Sequence, residues 1–194
     1  MKFVISSTAL FSHLQAIGRV INSKNTLPIL DCFLLELNDG VLSLTASDNE
    51  TTMATSLEVN ESDGNCRFAI NAKTILDALK EIPEQPLTFD FNPNTLEILV
   101  QYMNGRYSVV AQNADEYPIP VTLGETAVHV EMEASTLLNG INRALFATAD
   151  DELRPVMNGV YFNLDNSGIT CVATDAHKLV KFTTEIEGGA VASF

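Results

Sequence analysis

A chain of 194 residues with 11 Lys and Arg against 25 Asp and Glu carries a formal charge of −14, and 46% of it is apolar. That is the composition of a folded protein, with room for one large domain or two of ordinary size. No apolar run approaches the ~18 residues of a membrane-spanning helix, and so acidic a chain excludes a surface that is basic throughout, though not a local basic face.

The opening MKFVISSTALFSHLQ lacks the apolar region and cleavage site of a secretory signal and reads as mature structure. Lys2–Ile5 predicts a strand. Ser6 and Ser7 can cap the helix that follows, in which Leu10, Phe11, Leu14, Ile17 and Ile21 recur at helical spacing. Pro28 punctuates. Leu30–Leu37 and Val41–Ala46 flank Asn38-Asp39-Gly40, a hairpin signal. Thr52–Val59 and Arg67–Ile70 predict further strands. Asn71 opens a second helix, with Ala72, Ile75, Leu76 and Leu79 on one face and Pro83 beyond its end. Strands at Leu87–Phe91, Thr95–Val100 and Arg106–Ala111 follow. Glu116–Gly124, with two prolines and a glycine, reads as a connector.

The pattern then restarts. Pro28 and Pro155 are 127 residues apart (155 − 28), and this offset holds without a gap from about Ile5 to Val59. It places Ile5 on Met132, and Leu10, Phe11, Leu14 and Ile17 on Leu137, Leu138, Ile141 and Ala144. Asn38-Asp39 falls on Asp165-Asn166, and Ala46-Ser47-Asp48 on Ala173-Thr174-Asp175. Such agreement implies a duplicated α+β unit. The expected layout is a complete unit over 1–122, the end of a linker at 123–126, and the first part of a second copy over 127–194. Nothing in the second copy corresponds to the segment after Arg67, so the chain reads as a fragment of a longer one.

The predicted helices carry Arg19, Lys73, Lys80 and Arg143 against Asp77 and Glu81, a net +2, which leaves −16 for the remainder. A few basic residues on one face can neutralise phosphates without reading bases; ordinary solvated helix faces would look the same. Asp175 and His177 could serve a hydrolase or a metal-dependent enzyme. Against this, the first copy has Asp48 and Glu50 at those positions, and an Asp shared after a strand suits a turn. Asp150-Asp151-Glu152 reads as a solvated acidic loop. Cys32, Cys66 and Cys171 have no metal-binding or redox spacing and read as buried reduced thiols of a cytoplasmic protein.

Taken together, MKFVIS, Thr26-Leu-Pro-Ile-Leu30, Asp39-Gly-Val-Leu-Ser-Leu-Thr45, Asn158-Gly-Val and Val172-Ala-Thr-Asp-Ala-His-Lys-Leu179 resemble the bacterial DNA polymerase III β subunits, the sliding clamps. The resemblance covers the chain in order. It implies a DNA clamp fold of repeated α+β units, with antiparallel sheets outside and amphipathic helices on the inner face of a ring. The ring would be a head-to-tail homodimer around duplex DNA. It would be non-catalytic and without cofactor or metal, and would tether the replicative polymerase for processive DNA replication.

The resemblance also assigns residues. Lys24 and Arg154 match basic DNA-contacting positions, and Arg19, Lys73, Lys80 and Arg143 belong to the expected DNA-facing helices. Asp151 falls where a polar DNA contact is usual. Met157, Thr174, His177, Lys178 and Leu179 match the second-domain part of a groove for short linear motifs. Those motifs belong to the polymerase catalytic subunit, the clamp loader and repair proteins. Lys178 stands where Arg is common, and Ala176 where Gly is common. Thr74, Tyr107 and Val109 match the subunit interface. An adaptor that uses the same groove away from nucleic acid is the rival outside enzymes.

Overall fold

The computed structural model describes residues 1–21, 25, 27–48, 50–118, 124, 127–128, 130–151, 153–186 and 192–193. The chain divides into two compact units, Met1–Val121 and Thr122–Phe194.

In the first unit, β1 (Lys2–Ser6) runs into α1 (Ser7–Ile17). The Ser6 hydroxyl accepts a hydrogen bond from the Ala9 amide at 3.2 Å, so the expected serine cap is present. The helix ends earlier than the Ile21 expected from its apolar spacing. Gly18–Val20 form a 3-10 turn, where Gly18 passes so close to the Phe33 ring that an added Cβ would stand 3.1 Å from it. Pro28–Asp31 form another 3-10 turn, which delays β2 to Cys32–Asn38. Asp39 and Gly40, both at positive φ (48° and 83°), close a tight hairpin to β3 (Val41–Ser47).

Then come β4 (Thr52–Glu58), β5 (Glu61–Ser62), β6 (Cys66–Asn71), α2 (Ala72–Lys80), β7 (Pro86–Asn92), β8 (Glu97–Tyr102) and β9 (Gly105–Val110). Asn71 caps α2 through its side chain, which accepts from the Thr74 amide. The strands form two antiparallel sheets, ordered β5-β1-β7-β8-β9 and β4-β3-β2-β6. Their inward residues make one core with the apolar faces of the helices, including Phe3, Leu10, Leu14, Phe33, Leu44, Phe68, Ile75 and Phe89.

The second unit repeats this order at the expected offset. α3 (Ala134–Ala144), a 3-10 turn at Leu145–Ala147 and another at Pro155–Asn158 stand 127 residues after their first-unit counterparts. β10 (Tyr161–Asp165), β11 (Gly168–Thr174) and β12 (Leu179–Glu185) follow, with β13 (Ala192–Ser193) at the far edge. The registers also repeat: Leu35 pairs with Leu44, and Phe162 with Cys171. Likewise Leu42 pairs with Leu57, and Ile169 with Thr184. The second hairpin turns differently. The Asp165 carboxylate accepts from the Ser167 amide and hydroxyl and from the Gly168 amide, in place of a positive-φ pair.

The second unit differs from the first in two places. Residues 130–133 form no strand, although Met132 is the counterpart of Ile5, which in β1 pairs with Leu87 of β7. On α3, Leu137 and Leu138 are 37% and 59% exposed, whereas Leu10 of α1 is fully buried. α1 packs against α2, and α3 packs chiefly against β12 and β11.

Candidate functional site

The loop between β11 and β12 carries most of the expected groove residues. Thr174 ends β11 and Leu179 begins β12. Between them, Asp175 Oδ1 accepts from the His177 amide at 3.0 Å and the Lys178 amide at 2.8 Å. The Thr174 hydroxyl donates to the Lys178 carbonyl at 2.7 Å and accepts from the Ala176 amide. The Lys178 ammonium pairs with Asp175 Oδ2. This partner first, and the two amides after it, hold the Asp175 carboxyl well below the usual carboxylate range. Ala176 is thereby fixed at φ 73°, a backbone position that suits Gly.

The loop presents His177 and Lys178 to solvent and leaves Leu179 67% exposed. Met157, half-buried, lies in the 3-10 turn that leads into β10. Tyr161 of β10 pairs with Val172, so that turn enters the sheet beside the end of β11 that bears Thr174.

The first unit builds the same loop. Asp48 Oδ1 accepts from the Glu50 and Thr51 amides at 3.1 and 2.7 Å, and the Ser47 hydroxyl donates to the Thr51 carbonyl. Asp175 is therefore a turn residue occupied by its own backbone, which removes the basis for a general acid–base or metal role with His177. Among the described residues, no group of three or more His, Cys, Asp or Glu is placed to hold a metal ion.

The basic residues differ in availability. Arg19, Lys73 and Lys80 are exposed on the helical side of the first unit. Lys24 lies outside the described residues. Arg143 is anchored: its Nε donates to Asn139 at 2.9 Å and its guanidinium lies 5.2 Å from the Phe182 ring centroid. Arg154 directs Nε and a terminal nitrogen at Asp151 Oδ2, each at 2.8 Å. That contact lowers the Asp151 pKa. The acidic segment is thus not simply solvated, because Asp151 engages the basic residue expected to meet DNA. These attachments escape the linear sequence, since Arg143 meets Phe182 only through the packing of α3 on β12.

Of the expected interface residues, Tyr107 and Val109 lie on β9, the outer strand of its sheet, both half-buried, while Val110 between sheet and solvent is 70% exposed. The Tyr107 hydroxyl is buried without a hydrogen-bond partner among the described residues, and burial pushes its pKa up to about 12. Thr74 is exposed on α2, its hydroxyl donating to Asn71 Oδ1 at 3.1 Å.

Residues 1–122 match the family model of the DNA polymerase III beta subunit, N-terminal domain, and residues 119–192 that of its central domain. The chain is 30% identical to the beta sliding clamp of Haemophilus influenzae over 188 residues, which cover 96% of this chain and 50% of that protein. It thus spans about half the length of the curated relatives it matches. Its fold superposes on the DNA polymerase III subunit beta of Pseudomonas aeruginosa with a TM-score of 0.91 at 24% identity, covering 100% of this chain and 52% of that one. The beta subunit of Thermotoga maritima gives 0.86 at 25% identity, with the same coverage. No helix among the described residues is long and apolar enough to cross a membrane. With two successive domain models matched in order on a duplicated fold, the chain belongs to the DNA polymerase III beta subunit family.

Proposed function

We propose that this chain is part of a non-catalytic sliding clamp, a cytoplasmic ring that encircles duplex DNA and tethers the replicative polymerase. It would hold the whole first domain over 1–122 and the first part of the second over 127–194. The observation that carries this reading is the ordered match to the N-terminal and central domain models. Coverage of about half of each relative agrees with a longer working protein that closes as a head-to-tail dimer.

Retention on DNA would come from closure of the ring. Arg19, Lys24, Lys73, Lys80, Arg143 and Arg154 would supply weak, sequence-independent phosphate contacts that permit sliding. Thr74, Tyr107 and Val109 would lie at the subunit boundary. Met157, Thr174, His177, Lys178 and Leu179 would take short motifs from the polymerase, clamp loader and repair proteins, raising their effective concentration at the template. The exposure of Leu179 beside a rigid loop supports that use. The test is retention on nicked circular DNA by the protein joined to the remaining domains of its family. Retention that is lost when the circle is cut supports the reading; retention equal on linear and circular DNA overturns it.

A further inference from the structure

Several basic side chains of this molecule are held in place by carboxylates, which also neutralise them. Lys2 pairs with Asp90, Arg67 with Glu36 and Asp115, and Lys178 with Asp175. Arg143 is held without being neutralised. Its Nε donates to the Asn139 side-chain oxygen one turn back on α3, at 2.9 Å, and its guanidinium carbon lies 5.2 Å from the ring centroid of Phe182 on β12. Both partners are uncharged, and no salt bridge among the described residues includes Arg143. A guanidinium has five N–H donors; Asn139 takes the one on Nε, and the other four sit on the two terminal nitrogens.

The 127-residue repeat shows that this place on the helix stays open in a unit with both helices. Asn139, Arg143 and Phe182 correspond to Ser12, Ala16 and Thr55. In the first unit α1 packs against α2, and Ala16 is nonetheless exposed. A second helix beside α3 therefore does not close position 143. The first unit has no cation here; Thr55 instead meets His13 Nδ1 at 2.9 Å. The Asn139–Arg143–Phe182 arrangement belongs to the second copy alone, and the shared backbone plan requires none of these side chains.

We infer that Asn139 and Phe182 are positioning residues, which hold Arg143 as a preformed contact for one phosphodiester of duplex DNA. The inference rests on the reading of α3 as a DNA-facing helix of a clamp. The paired terminal nitrogens match the two free oxygens of a phosphodiester. A side chain already fixed at Nε and over a ring loses little rotamer freedom on meeting that phosphate. Support from neutral groups leaves the full charge to displace a counterion.

The test measures binding of a short fluorescent duplex to the full-length clamp by anisotropy across a salt series. Arg143→Gln should weaken binding at low salt and make the salt slope shallower by about one per subunit. Phe182→Leu keeps the charge, so it should weaken binding about threefold with the slope unchanged, and Phe182→Tyr should restore the affinity. In the Arg143→Gln background, Phe182→Leu should have no further effect. An equal loss in that background, or a Tyr variant as weak as the Leu variant, would make Phe182 merely structural and overturn the inference. Arg143→Gln binding like the unaltered clamp would overturn it too, while leaving the clamp reading in place. If Phe182→Leu does not fold, Asn139→Ala, on the exposed face of α3, goes through the same cycle with the same expected loss. Failure of the unaltered clamp to bind the duplex at any salt concentration overturns the clamp reading, and the inference with it.

Discussion

Gly140 of α3 lies against Cys171 of β11 so closely that a Cβ built on the glycine would stand 2.8 Å from the thiol sulfur. The helix can approach the sheet only because this position has no side chain. Gly140→Ala should destabilise the second unit by about 2 kcal/mol through overpacking, although alanine favours a helix. Cys171→Ala in the same chain should recover much of the loss, and urea unfolding of the two single variants and the double variant would show the non-additivity.

Ala176→Gly should act in the opposite direction. Its positive φ costs alanine about 1–2 kcal/mol, which outweighs the extra unfolded-state entropy of glycine. A gain of about 0.5–1 kcal/mol is expected in the unfolding of the second unit. A loss would mean that the methyl group makes a packing contribution larger than its strain.

The Asp175 loop should resist acid. Its carboxyl has a lower pKa in the folded state than in the unfolded state, so its stabilising effect is complete above the ordinary value of ~3.9 and is lost as pH falls through the lower folded value. The carboxyl-carbon shift of Asp175 itself should stay flat from neutral pH down to about pH 4 and change only below it. Asp175→Asn should abolish that late inflection.

Leu179 is exposed, so Leu179→Ala should change stability by less than about 0.5 kcal/mol. If it anchors linear motifs in the assembled clamp, the same change should weaken a clamp-binding peptide by about 1–2 kcal/mol, as calorimetry would measure. Affinity unchanged by Leu179→Ala would remove it from the groove.

Asp151 holds Arg154 away from other anions. In the full-length clamp, Asp151→Asn should lengthen retention on DNA at low salt, with the salt slope steeper by about one unit. Lys24→Glu should shorten it. Filter binding across a salt series would distinguish these from effects on ring closure, which would not track salt.

The elements most legible in the sequence were those with a strong local cause. α2 follows from Asn71 and four apolar residues at helical spacing, and the first hairpin from Asp39-Gly40. β5 was hidden because Glu61 and Ser62 carry no apolar pattern; they form a strand only through pairing with Phe3 and Val4. The Asp175 loop could be read from its shared Asp48. The attachments of Arg143 and Arg154 are tertiary and leave no periodic trace.

The repeated strand registers carry a hazard for folding. Each copy offers strands of the same phase, so during refolding β2 could pair with β11, or β10 with β3. The inward pairs differ in shape, Leu35 with Leu44 in one copy and Phe162 with Cys171 in the other. A mixed pair would join Leu35 to Cys171 and leave a void, or Phe162 to Leu44 and overfill the core. Two copies that share a backbone plan are kept apart by how each divides the same volume between its facing side chains.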